Sequence, residues 1–167
     1  PCLPLELSAL LGDDEPAAMA REAARQKRRG IACFKMKIGG GDFPADVARV
    51  AAVRKAIGEQ AALRLDANGA WSLANAQRAL DALAAADAVF VEEPLRNATE
   101  VNSLVTGTPI ALDESVRDLR DLEAALTRGG FAVLVLKLER VGGPLPALEM
   151  AAAAMEAGLE VVFTDSI

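Results

Sequence analysis

Short apolar runs alternate with Ala-rich windows along the whole chain, and this alternation constrains the fold more than any other feature. The apolar runs fall at residues 3–8, 31–38, 61–67, 88–94, 108–115, 131–138 and 159–167, and each reads as a strand. The windows between them carry helix start and stop signals. "DDEPAAMAREAARQKRRG" opens on acids and Pro16 and ends on Gly30, "FPADVARVAAVRKAIG" closes on Gly58, and "SLANAQRALDALAAA" has Ser72 placed as an N-cap. "VRDLRDLEAALTRGG" and "PLPALEMAAAAMEAG" supply two more helices, whereas 98–106 is short and poor in helix formers. Units of about 25 to 30 residues with one strand and one helix each are too long for hairpins and imply a parallel sheet.

Two parallel architectures fit this order, an open doubly wound sheet and a (β/α) barrel. "GGGD" (39–42) follows the second strand but matches neither GxGxxG nor GxxxxGK[ST], so it reads as a flexible loop and not as a phosphate cradle. Polar side chains recur near the C-terminal ends of five successive strands: Lys35 and Lys37, Asp66, Glu92 and Glu93, Asp113 and Glu114, then Lys137. A barrel gathers those ends around one mouth, and an open sheet strings them along an edge. The convergence favours an α/β fold of the TIM type, a (β/α) barrel that is incomplete, with about seven strands where closure needs eight. The whole chain, 1–167, is one such partial barrel domain, and its start at Pro1 reads as a piece of something longer.

Composition narrows the chemistry. The formal charge is −6, and the one dense basic run, "RQKRRG", ends a predicted helix where cations suit the dipole, so no nucleic-acid partner is expected. No apolar run approaches the length of a membrane span and no signal peptide is visible. Cys2 and Cys33 form no CxxC pair or disulfide framework, which fits a reducing cytoplasm. The chain contains no histidine, so acid–base work falls to Lys or carboxylates.

Asp66, Glu92 and Asp113 end three consecutive strands, one βα unit apart. Neighbouring strands lie about 4.8 Å apart, so carboxylates at equivalent heights crowd and repel unless protonated or bound to a cation. Oxygen-only ligands suit a hard ion, Mg²⁺ or Mn²⁺. The plainer alternative, acids capping the helix after each strand, explains one such site better than three in succession. Lys35 and Lys37 leave one face of the second strand about 7 Å apart, and Lys137 brackets the acids from the sixth. A neighbouring cation and partial burial both disfavour a charged ammonium, so Lys35 is expected to make Lys37 a better base. The plain reading of the lysines is that they neutralise the acids.

The stretches "KMK" (35–37), "LDANGAW" (65–71), "VEEPL" (91–95), "ALDES" (111–115) and "LKLERVGG" (136–143) together resemble the enolase superfamily, in its muconate-lactonizing and mandelate-racemase branch. The resemblance implies Asp66, Glu92 and Asp113 as Mg²⁺ ligands, with Asn68, Glu93 and Glu114 supporting them. It implies Lys37 as the acid–base residue, Lys35 as its electrostatic neighbour and Lys137 facing it across the site. The implied chemistry is removal of a proton α to a carboxylate through an Mg-stabilised ene-diolate, by a lyase or by an isomerase or racemase. "GIACFKMKIG", the acid in "ALDES" and "VVFTDSI" are most similar to o-succinylbenzoate synthases, which dehydrate a cyclohexadiene carboxylate in menaquinone biosynthesis. Dipeptide epimerase, N-acylamino acid racemase and muconate cycloisomerase activities stay open, whereas the missing histidine argues against the mandelate racemase subgroup proper. The expected partner is a small-molecule carboxylate, and a homo-oligomer stays open. The family's N-terminal α+β capping domain and last barrel segments are not in this sequence. Outside the family, the readings are a Schiff-base barrel aldolase using Lys137 or Lys37, or an inactive truncated fragment.

Overall fold

The computed structural model describes residues 7–12 and 15–165. Strands and helices alternate except between β4 and β5: β1 (Ser8–Leu11), α1 (Pro16–Arg28), β2 (Cys33–Lys37), α2 (Phe43–Ile57), β3 (Ala62–Asp66), α3 (Leu73–Leu83), β4 (Phe90–Glu92), β5 (Ile110–Leu112), α4 (Leu119–Arg128), β6 (Val133–Lys137), α5 (Pro144–Glu156) and β7 (Glu160–Thr164). The weak crossover at 98–106 is a 3₁₀ segment, Ala98–Ser103, in place of a full α-helix. All neighbouring strands pair in parallel in the order β1-β2-β3-β4-β5-β6-β7, which makes a curled, incomplete TIM-type barrel.

Two local expectations shift. Among the described residues the first strand is Ser8–Leu11, reaching past the expected run 3–8, of which residues 3–6, like Cys2, lie outside the described residues. Pairing decides this: Ser8 aligns with Cys33 and Leu11 with Met36, which brings Leu11 into the helix-side core. Local apolarity cannot reveal such a partner. Ser72 does occupy the N-cap position of α3, but its side chain makes no capping bond. By contrast, Glu15 accepts from the Ala17 and Ala18 amides before α1, and Asp118 accepts from Asp121 before α4.

The sheet's two faces differ. Toward the helices point Phe34, Met36, Leu63, Leu65, Leu134 and Leu136, which pack with Val50, Val53, Ile57, Leu80, Leu122 and Met150 into one large core. Each such side chain contributes about 1.5–3 kcal/mol on burial. The concave face holds a small buried apolar cluster, Phe90, Ala111, Val133 and Val135, together with charged groups and partly exposed apolar residues such as Leu10 and Val162. Among the described residues no helix is long and apolar enough to cross a membrane.

Candidate active site

Alternation puts Lys35 and Lys37 on the concave side because Phe34 and Met36 take the helix side. The same parity aims Arg64 and Asp66 inward from β3, with Leu63 and Leu65 outward. Register aligns Lys37 with Asp66 and Asp66 with Glu92, so those two acids stand side by side. Glu92 aligns with Ala111, not with Asp113, which lies just beyond β5. The expected equal heights therefore hold for two acids, while the third is staggered along its strand, as barrel shear requires.

Backbone bonding continues past the strand ends and fixes this row. The Ala67 amide donates to the Glu92 carbonyl (2.9 Å), Gly69 to Glu93 (2.7 Å) and Trp71 to Pro94 (3.2 Å), and Arg96 returns a bond to Trp71 (2.8 Å). Asn68 and Glu93 sit at φ 45° and 42°, a left-handed conformation that side chains rarely adopt. Each has a bond that uses it. The Asn68 amide donates to Asp66 Oδ1 (3.1 Å) and its side chain to Glu114 Oε1 (3.2 Å). Glu93 Oε1 accepts from the Asp113 amide (2.8 Å), the Ser115 amide (2.8 Å) and the Ser115 hydroxyl (2.5 Å). Glu93 thus ties the end of β5 to the end of β4, which sets where Asp113 stands.

The three acids are deeply buried, at 2 % exposure for Asp66, 1 % for Glu92 and 4 % for Asp113. The Lys35 ammonium donates to Glu92 Oε1 (2.9 Å) and Oε2 (2.7 Å) and pairs with Asp66 Oδ2 (2.8 Å). Lys137 donates to Asp113 and reaches Glu114 Oε1 at 3.4 Å, where Arg140 also arrives at 3.4 Å. Burial disfavours charge on both lysines, but Glu92 and Asp66 around Lys35, and Asp113 and Glu114 around Lys137, outweigh it and hold both above the usual ammonium value. Glu92 shows the residual imbalance. Its burial, then the charge of Asp66 and the hydrogen bond to Asp113, push its carboxyl up to about 8 against the pull of Lys35. Burial also raises Glu93, opposed by the three bonds it accepts.

Lys37 behaves differently. It lies at the exposed rim, and its ammonium has no hydrogen bond or ion pair among the described residues. The expectation that Lys35 tunes Lys37 through its charge meets a competing fact, since two carboxylates already take up that charge. The cavity brings together Lys35, Lys37, Asp66, Asn68, Glu92, Glu114 and Lys137, within a volume of 690 Å³. The donors suit a hard cation: all oxygen, buried, adjacent, and carrying surplus negative charge that raises Glu92. Among the described residues the acids do not close into a three-ligand cage, because the ammonium groups of Lys35 and Lys137 stand among them as counter-ions.

Sequence reasoning passed over three charged groups here. Arg64 lies inside the barrel with its guanidinium 5.4 Å from the Phe90 ring, and its parity with Asp66 was the available signal. Asp46 and Arg49 form an ion pair on α2, and Asp46 is almost fully buried. The glycine run is also less uniform than a flexible loop. Gly40 and Gly41 face open space, but Gly39 (φ 85°) packs so closely that a Cβ would lie 2.7 Å from that of Ala70.

Known proteins resemble this chain in sequence and fold. The enolase C-terminal domain-like family matches residues 18–165. A hydrophobic dipeptide epimerase of Enterococcus faecalis V583 is 39% identical over 154 residues, covering 90% of this chain and 43% of its own length. An o-succinylbenzoate synthase of Thermobifida fusca YX is 36% identical over 157 residues, covering 91% and 49%. The crystal structure of a dipeptide epimerase from Cytophaga hutchinsonii, complexed with Mg and the dipeptide D-Ala-L-Val, superposes with TM-score 0.91 at 29% identity over 97% of this chain and 45% of that one. The chain thus spans less than half the length of the curated relatives it matches. With its parallel half-barrel, its strand-end acids and lysines, and these matches over nearly its full length, the chain belongs to the enolase superfamily, in the muconate-lactonizing and mandelate-racemase branch.

Proposed function

We propose that this chain carries the acid–base groups of an enzyme that removes a proton α to a carboxylate. One observation carries the reading: three buried acids at successive strand ends are bracketed by strand-end lysines, with Lys35, Lys37, Asp66, Glu92 and Lys137 lining one cavity and Asp113 paired with Lys137 beside it. Asp66, Glu92 and Asp113 would hold Mg²⁺, with Mn²⁺ as the alternative. Such an ion, when bound, offsets the negative charge that grows on the substrate carboxylate as the proton leaves. Lys37, unpaired at the rim, takes the α-proton on Nζ in its neutral form and can return it. Lys137, on the far side, presents an ammonium toward the charge that develops. Lys35 balances Asp66 and Glu92, and Glu93 keeps Asp113 in place through the end of β5.

Two finer readings share that first step. The motif set supports o-succinylbenzoate synthase-type dehydration, in which Lys37 passes its proton to the departing hydroxyl and a C=C bond forms as water leaves. Lysines on both sides support epimerisation, in which one lysine removes the α-proton and the other delivers a proton to the opposite face. The 39% identity to a dipeptide epimerase favours this second reading.

The test is proton exchange in D₂O, followed by NMR, with the full-length protein and Mg²⁺. The panel is an L,L-dipeptide, an N-succinyl amino acid, muconolactone and the cyclohexadiene carboxylate precursor of o-succinylbenzoate. Deuterium incorporation at the α-carbon of at least one member, lost with EDTA and in Lys37→Ala, is expected. Exchange that survives EDTA, together with borohydride trapping on a lysine, would replace this reading with Schiff-base chemistry.

A further inference from the structure

Lys37 raises a positional problem that the reading above does not solve. Lys35 and Lys137 are held by the carboxylates they touch, but among the described residues the Lys37 ammonium touches none. A four-carbon side chain without a partner is aimed only by the backbone that bears it. That backbone is held from an unexpected side. The Lys37 carbonyl accepts from Arg49 Nη2 (3.3 Å), and the Gly39 amide donates to Asp46 Oδ2 (2.7 Å). Between them, the Ile38 amide donates to the Asp66 carbonyl (2.8 Å).

Asp46 and Arg49 are themselves an ion pair one helical turn apart on α2, with side chains only 2% and 12% exposed. Burying a carboxylate is costly unless it is paired and hydrogen-bonded. Asp46 lies in the first turn of α2, beyond the N-cap Asp42, where its charge suits the helix dipole. Its partners are Arg49 and the strand-end peptide.

We propose that the Asp46–Arg49 pair is a positioning device for Lys37, clamping the peptide groups on both sides of Ile38 so that the Lys37 stem leaves β2 at a fixed height and direction. Gly39 completes the clamp: its positive φ turns its amide toward α2, and its missing Cβ lets the chain pass against Ala70 and Trp71. The loosely contacted glycines, Gly40 and Gly41, begin only after the clamp.

This inference rests on Lys37 being the base, and the test separates the two. In the full-length protein with Mg²⁺, α-proton exchange is measured for wild type, Lys37→Ala, Asp46→Asn, Arg49→Lys and the Lys37→Ala/Asp46→Asn double variant. The substrate is whichever panel member the wild type exchanges. Asp46→Asn keeps an acceptor for Gly39 but loses the ion pair, and is expected to lower kcat roughly 10- to 100-fold. KM and the Mg²⁺ concentration for half-saturation should stay within about 2-fold, because the acids are untouched. Arg49→Lys, which keeps the charge but not the planar reach to the Lys37 carbonyl, should fall part of the way. In the Lys37→Ala background Asp46→Asn should produce no further loss.

Unchanged kcat in both single variants, with Lys37→Ala inactive, overturns the clamp and leaves the base assignment standing. A full further loss in the double variant overturns it too, since Asp46 would then act through something other than Lys37. Persistent exchange in Lys37→Ala overturns both. Should Asp46→Asn fold poorly, Arg49→Lys carries the same comparison.

Discussion

The convex and concave faces of the sheet are made from the same strands, residue by residue in alternation, yet they do opposite work. On the helix side nearly every inward position is aliphatic or aromatic and fully buried, and one contiguous core runs from α1 to α5. On the concave side the buried apolar cluster is four residues, Phe90, Ala111, Val133 and Val135, and beside it the lysines, arginines and acids share the cavity with rim residues such as Leu10, Val162 and Phe163. Stability thus comes from one face and chemistry from the other. A substitution on one should leave the other's property largely intact.

The sharpest test of that division is Lys37→Ala. It removes an exposed concave-side ammonium without partners among the described residues, so exchange should fall about 10³- to 10⁴-fold while stability barely moves, by under about 0.5 kcal/mol. A large stability loss, read by urea denaturation, would break the comparison from the concave side. Leu134→Ala is the reverse case. Its side chain is fully buried among the helices, and its truncation should cost about 3 kcal/mol while Mg²⁺ affinity, read by calorimetry, stays unchanged.

Lys35 is the exception that sharpens the rule, because it is on the concave face but holds two buried acids together. Lys35→Met leaves Asp66 and Glu92 facing each other without a counter-ion, so the metal-free chain should lose about 2 kcal/mol. Saturating Mg²⁺ should restore most of it, which thermal melts with and without the ion can read. Glu92 gives the smallest effect when read one pH unit at a time. Its folded-state value, about 8, lies above the ordinary 4.5, so between those limits the folded chain binds more protons than the unfolded one. Stability of the metal-free chain should therefore decline as pH rises from about 5 to 8, by up to ~1.4 kcal/mol per pH unit. Glu92→Gln should flatten that decline. An unchanged slope in the variant would remove Glu92 as its source.

The contrast between faces also explains what could be read from the sequence. Parity within "CFKMK" and "ALRLD" is local, so the inward placement of Lys35, Lys37 and Asp66 was legible, as were the parallel order and the unfinished barrel. Arg64 obeyed the same parity but lay outside the five motif stretches that drew attention. The position of Asp113 depends on strand stagger, which arises between strands and leaves no mark on any one of them. Asp46 and Arg49 were invisible for another reason. An acid and a base one turn apart usually describe a solvated helix surface, and only packing of α2 against β2 makes the pair buried. Lys35 reads from sequence as a modifier of Lys37, yet its charge is spent on Asp66 and Glu92 across two neighbouring strands.

The bonding that runs past the ends of β3 and β4, from Ala67 to Arg96, has a bearing on how such a protein can change over generations. Residues 67–71 and 93–96 form a short welded frame, so an insertion there would shift Asp66 against Glu92 and disable the proposed proton abstraction. Among the described residues, Gly40, Gly41 and the turn carrying Arg140 have no comparable backbone bonds from strand to strand, and Arg140 reaches Glu114 through its side chain alone. New substrates can therefore be accommodated by remodelling those rims while the welded frame is inherited unaltered. A lineage built this way would diversify in what it accepts long before it diversifies in what it does.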